Sequence, residues 1–185
     1  MKLILASGSP RRRELLEVLG HPFTVEAAEI DETIDTRGDL RKEIEKLSYR
    51  KALPVFTKHP EAIVIGADTI VTLDGEILGK PKTAETAEAM LHKLQGRTHE
   101  VITGVSILSA EKSESFSVTS RVTFFPMDEE EIREYAASGE AFDKAGAYGI
   151  QGSASRFIEK IMGDYYAIMG LPVSALYERL KAYPL

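Results

Sequence analysis

The sequence predicts an α/β fold with a mixed, twisted sheet flanked by helices. Short apolar or β-branched runs alternate with stretches of helical periodicity, and the Asp74-Gly75 signal joins two neighbouring strands by a hairpin, which a strictly parallel sheet does not use. With 185 residues, 43% hydrophobic and 28% charged, the chain can bury one well-formed core or two small lobes sharing a core.

Lys2 to Ala6 suits a buried strand. Ser9 and Pro10 then supply an N-cap and a proline at the first helical position, opening a helix with Leu15, Leu16 and Leu19 on its core stripe and a stop at Gly20. Asp39 caps a second predicted helix, carrying Leu40, Ile44, Leu47, Lys51 and Leu53 up to Pro54. Ala62 to Gly66 is a β-branched run leading into Asp68-Thr69-Ile70-Val71, and the type I′ signal Asp74-Gly75 turns it onto Ile77-Leu78. Thr83 to Leu94 reads as a helix ended by Gly96. Strands follow around Val101 to Leu108 and Ser117 to Phe125, the second closed by Pro126. Asp128 with Glu131 is a capping-box pattern for a helix ending near Gly139, and Lys144 to Gly152 reads as a loop of close backbone approach. Phe157 to Ile161 and Tyr165 to Met169 are read as two more strands before a last helix that opens at Pro172 and carries Val173, Leu176, Tyr177 and Leu180.

Composition narrows the function. A net charge of -6 disfavours binding to a nucleic-acid polymer, which needs a basic surface. The absence of cysteine excludes disulfides, thiolate metal sites and a cysteine nucleophile. No signal-peptide pattern or membrane-length apolar run appears, so a cytoplasmic protein without a membrane partner is expected.

Two constellations could carry chemistry. Arg11, Arg12 and Arg13 crowd the first turn of a helix, the wrong end for cations; a bound polyphosphate beside Gly8 and Ser9 would explain them, and so would plain solvent exposure. Glu32 and Asp68 stand at strand-to-loop edges where oxygen ligands for Mg²⁺ are displayed, whereas Glu29 and Asp31 read as solvated loop carboxylates. Asp68, inside an apolar strand, must be paired, coordinated or shifted in pKa. Lys51 and Lys80 could neutralise phosphate oxygens, and Gln151 in the Gly146–Gly152 loop offers a base-reading amide. There is no Walker A or Gly-x-Gly-x-x-Gly motif, and His21, His59, His92 and His99 form no metal-type pair. A serine hydrolase using Ser9 with His99 is disfavoured, because Pro10 removes an N–H that its oxyanion hole would use.

Six segments in order, Ala6–Leu16, Gly66–Val71, Gly79–Pro81, Arg97–Thr103, Lys144–Gly152 and Gly163–Val173, resemble the Maf family of nucleotide pyrophosphatases. The resemblance spans nearly the whole chain and implies one domain over residues 1–185, with two lobes around a cleft and a fold similar to inosine triphosphate pyrophosphatase. It implies hydrolysis of dTTP and UTP to monophosphate and pyrophosphate with a divalent cation, Mg²⁺ or Mn²⁺. Asp68 would be the proton acceptor, Glu32 would help hold the metal, and Ser9, Arg12, Lys51 and Lys80 would bind phosphates. Arg11, Thr69 and Gln151 match positions separating the dTTP/UTP branch from others. A nucleotide-sensing regulator linked to cell division, without hydrolysis, is the alternative, and the resemblance is compatible with a homodimer.

Overall fold

A computed structural model describes residues 2–185. Its strands are β1 (Leu3–Ala6), β2 (Phe23–Val25), β3 (Ile63–Leu73), β4 (Glu76–Leu78), β5 (Thr98–Leu108), β6 (Ser113–Phe124) and β7 (Ile158–Met162). The helices are α1 (Pro10–Glu17), α2 (Leu40–Lys58), α3 (Ala84–Leu94), α4 (Glu129–Ala137), α5 (Tyr165–Met169) and α6 (Val173–Leu180). The strands form a seven-stranded sheet in the order β2-β1-β3-β5-β6-β7, with β4 paired to β3. β1 runs parallel to β2 and β3, whereas the β3–β4 and β6–β7 pairs are antiparallel, so the sheet is mixed as the sequence predicts. No helix among the described residues is long and apolar enough to cross a membrane.

The chain divides into two compact units, one of Met1–Thr69, Thr103–Val118 and Tyr166–Leu185, the other of Ile70–Ile102 and Thr119–Tyr165. In the first unit, α2 lies on the sheet through bare backbone. A Cβ on Gly66 would collide with the Ser48 carbonyl, and one on Gly104 would lie 2.5 Å from the carbonyl oxygen of Ile44. Ile44, Leu47 and Ser48 are accordingly buried. The Ser48 and Ser106 hydroxyls share a 2.7 Å hydrogen bond in that buried seam.

Local signals read from sequence appear as drawn at several element ends. Ser9 caps α1, Asp128 and Glu131 form a reciprocal capping box on α4, and Asp74 and Gly75 both take positive φ, 52° and 81°, as a type I′ turn requires. Two expectations are corrected, and two further features stand beyond what the sequence assigns. α2 does not stop at Pro54 but runs to Lys58, because Val55 and Phe56 beyond it pack with Ile4, Ala52, Ala62 and Val64 in a cluster whose burial offsets the lost helical hydrogen bond. Tyr165–Met169 is a short helix and not a strand, closed by Gly170 N–H bonds to the carbonyls of Tyr166 and Ala167; a five-residue apolar run does not separate the two by periodicity. Tyr177 is exposed on α6, under the Lys181 ammonium at 4.8 Å, and leaves Val173, Leu176 and Leu180 as the core face. Phe23–Val25, too short to stand out, pairs with β1.

In the second unit, His99, Phe124 and Tyr148 form a buried edge-to-face trio with ring centroids 4.8–5.3 Å apart. His99 Nε2 shares a 2.6 Å hydrogen bond with the Tyr148 hydroxyl, and its Nδ1 has no hydrogen-bond partner among the described residues. Burial pushes the His99 imidazolium down to about 4 from an ordinary 6.5.

Ala substitution at Gly66 or Gly104 forces α2 off the sheet and is expected to cost about 2–3 kcal/mol each, read as a lower urea midpoint at unchanged slope. For His99, the unfolded chain takes up a proton that the folded chain refuses as pH falls below 6.5. Its stabilisation is therefore complete above 6.5 and lost as pH falls toward 4. Between pH 7 and pH 5 that single group removes about 2 kcal/mol, and a His99→Gln variant, which cannot titrate, should lose correspondingly less in urea unfolding at the two pH values.

Candidate active site

The site forms where α2 crosses β3. Gly66 and Asp68, two residues apart on a strand, share a face, and Ser48, Lys51 and Ala52 share a face of α2. Because Gly66 carries no side chain, Ser48 and Ala52 settle onto it, and Lys51 reaches the next position on the same face. Lys51 Nζ donates to Asp68 Oδ1 at 2.6 Å and lies 2.9 Å from Glu32 Oε1. The exposures of the three side chains differ in a useful way: Lys51 keeps 14% and Asp68 17%, but Glu32 keeps 64% and faces solvent. One ammonium thus joins a sheltered carboxylate to an open one.

A second cation approaches from α1. Ser9 Oγ accepts the Arg12 N–H at 3.5 Å as the N-cap, and the Arg12 side chain turns inward. Its Nε donates to the Gly170 carbonyl at 2.9 Å, Nη2 to Thr69 Oγ1 at 3.2 Å and Nη1 to Ser7 Oγ at 3.4 Å, while Nη2 stands 3.7 Å from Asp68 Oδ1. Thr69 in turn shares a 2.8 Å hydrogen bond with Thr103, whose hydroxyl donates to the Ala167 carbonyl at 2.7 Å. Burial lowers the Arg12 pKa from its ordinary value, and the Asp68 charge opposes that shift. The three consecutive arginines therefore do not act as one patch. Arg12 is fixed inside, Arg13 pairs with Glu17 at 3.1 Å on the exposed side of α1, and Arg11 sits half-buried on the same turn.

Glu32 is presented by a residue that the sequence reading overlooked. Arg50, beside Lys51 on α2, donates from Nη1 to the Asp31 carbonyl at 2.8 Å and from Nη2 to the Thr33 carbonyl at 2.6 Å, so its guanidinium grips the backbone on both sides of Glu32. A clamp on main-chain carbonyls leaves no pairing signal in the sequence. The Asp31 carboxylate accepts from the hydroxyl and the N–H of Thr33, which hold its pKa below the usual value. Among the acidic residues of this loop, Glu29 is exposed and Asp31 is engaged within the turn, and Glu32 meets Lys51.

Lys80 and Gln151 belong to the second unit, where both are exposed. Lys80 follows β4 beside Gly79, whose carbonyl accepts the Gly146 N–H at 3.1 Å. The loop bearing Gln151 is held by the Tyr148 hydroxyl on His99, by the Gly149 N–H on the Tyr135 hydroxyl at 3.4 Å, and by the Ser153 N–H on Glu140 Oε2 at 3.0 Å. The tie between His99 and Tyr148 uses the imidazole that a serine hydrolase would need for its base.

Two carboxylates converging on one cation form a hard-oxygen donor pair, the type that Mg²⁺ or Mn²⁺ accepts. Among the described residues no three His, Cys, Asp or Glu side chains gather as a metal-holding group. A pair of this kind suits a cation that keeps waters and takes its remaining ligands from substrate phosphates. The residues present fit such a group, with the Lys51 ammonium standing where positive charge is wanted.

The chain is similar to several known proteins. A Bacillus cytotoxicus protein named dTTP/UTP pyrophosphatase is 50% identical over 182 residues, covering 98% of this chain and 95% of the relative. Relatives of the same name from Bacillus mycoides and Bacillus cereus are 49% and 48% identical over the same coverage. The solved structure of the Staphylococcus aureus Ham1 protein matches 100% of both chains with a TM-score of 0.56 at 15% identity, a likeness of fold alone. Since the family model described as Maf-like protein matches residues 2–183, nearly the whole length over which these motifs and the fold extend, the chain belongs to the Maf-like protein family.

Proposed function

We propose that the chain is a cytoplasmic nucleoside triphosphate pyrophosphatase that converts dTTP and UTP to the monophosphate and pyrophosphate. The observation that carries this reading is the Asp68 carboxylate, sheltered in an apolar strand yet ionically partnered by Lys51 and, at longer range, by Arg12. An unpaired carboxylate there would be costly, and a structural role alone would be served as well by an apolar residue. The relatives named dTTP/UTP pyrophosphatase support the choice of nucleotides.

Mg²⁺ or Mn²⁺ held by Asp68 and Glu32 would offset the repulsion between these carboxylates and a triphosphate and lower the pKa of an attacking water. Asp68 accepts the proton of that water through its carboxylate. Lys51 and Arg12 place positive charge beside Asp68, and Ser9, with the α1 N-terminus, receives phosphate oxygens. The water oxygen forms a bond to the α phosphorus as the bond from that phosphorus to the bridging oxygen breaks; the departing pyrophosphate keeps the electron pair, and phosphate-facing cations balance its charge. Lys80 for phosphate and Gln151, Arg11 and Thr69 for base selection belong to the same proposal through the family resemblance.

Asp68→Asn is expected to lower dTMP formation from dTTP by about 10²–10⁴-fold while the urea midpoint shows a folded protein. Substantial retained turnover would remove Asp68 from the chemistry. Chelation with EDTA should abolish pyrophosphate release and added Mn²⁺ or Mg²⁺ should restore it. Wild-type protein that binds dTTP with Mg²⁺ yet yields no dTMP would instead be a nucleotide sensor.

A further inference from the structure

We infer that Lys51 is a built-in counter-cation that occupies the two-carboxylate site of the nucleotide-free protein, so that a divalent cation enters tightly only when substrate phosphates draw the ammonium away. The inference deepens the proposed function and rests on its assignment of Asp68 and Glu32 to the metal. Its basis is the unequal tethering of the charges.

Glu32, Asp68, Lys51 and Arg12 form a group of two negative and two positive charges within ion-pair reach. Arg12 cannot leave: it is fixed by the Gly170 carbonyl, Thr69 and Ser7. Asp68 is on a central strand, and Glu32 sits between the two carbonyls gripped by Arg50. The Lys51 ammonium, by contrast, has the two carboxylates as its partners and rides on a flexible four-carbon stem. Of the two positive charges it is the one that can change position without breaking a backbone contact. While it stays, an entering divalent cation meets a group already neutralised and a like charge at close range; when it swings to a phosphate, both carboxylates are released together. Such coupling ties metal loading to the arrival of nucleotide and leaves little metal on the idle protein.

The test is a Mn²⁺ titration of nucleotide-free full-length protein, with free Mn²⁺ followed by its electron paramagnetic resonance signal. Lys51→Met should bind Mn²⁺ at least about tenfold more tightly than wild type, Lys51→Arg should remain near wild type, and adding Asp68→Asn to Lys51→Met should erase the gain. Lys51→Gln, with melting temperatures for every variant, gives the same comparison if the methionine variant does not fold. Unchanged or weaker Mn²⁺ affinity in folded Lys51→Met and Lys51→Gln overturns the inference. Production of dTMP from dTTP by the wild type is assayed separately: its absence overturns the proposed activity, whereas the Mn²⁺ comparison bears on the counter-cation alone.

Discussion

A carboxylate inside an apolar strand needs a partner, and the first unit of this molecule is arranged around that need. Asp68 stands among Ala67, Ile70 and Val71, all nearly or fully buried. α2 and α1 each deliver a cation to it. Water would stabilise the charge at no structural cost at the surface; inside the fold the partners must be built. Gly66 lets α2 lie close enough for Lys51, and the Ser9-Pro10 start of α1 sets the turn from which Arg12 reaches inward.

The same geometry separates fixed from movable parts. Arg12 is tied to strand and helix ends by hydrogen bonds to Gly170, Thr69 and Ser7, and Thr103 extends that chain to Ala167 at α5. Fixed donors of this kind lose little reorganisation energy when charge develops nearby. Glu32 lies on an exposed loop, yet Arg50 fastens the backbone around it. Stability and the candidate site therefore draw on the same contacts, since α2 supplies core through Ile44, Leu47 and Val55 and candidate-site residues through Arg50 and Lys51.

What could be read from sequence follows from how local each determinant is. The Ser9 cap, the Asp74-Gly75 turn and the Asp128–Glu131 box are settled within four residues, and they stand where the sequence placed them. Pro54 misled because a local breaker is outweighed by tertiary burial of Val55 and Phe56, and Tyr165–Met169 misled because five apolar residues carry no decisive period. At the site, the oddity of Asp68 was legible from its apolar neighbours. Its partners were not, since Lys51 is 17 positions away in sequence and Arg12 is brought close by a parallel pairing of β1 with β3. Arg50 was invisible because it recognises carbonyls, which every residue has.

In the proposed reaction, a metal-bound nucleotide is engaged at the pair Asp68 and Glu32, with Lys51 between them. The most direct measurement is a crystal structure with Mn²⁺ and a dTTP analogue whose bridging oxygen between the α and β phosphates is replaced by a non-hydrolysable group. The expected result is an anomalous manganese peak ligated by Asp68 and Glu32, phosphate oxygens completing its shell, and Lys51 Nζ moved onto phosphate. Manganese and triphosphate bound elsewhere, with Lys51 still bridging the two carboxylates, would contradict it.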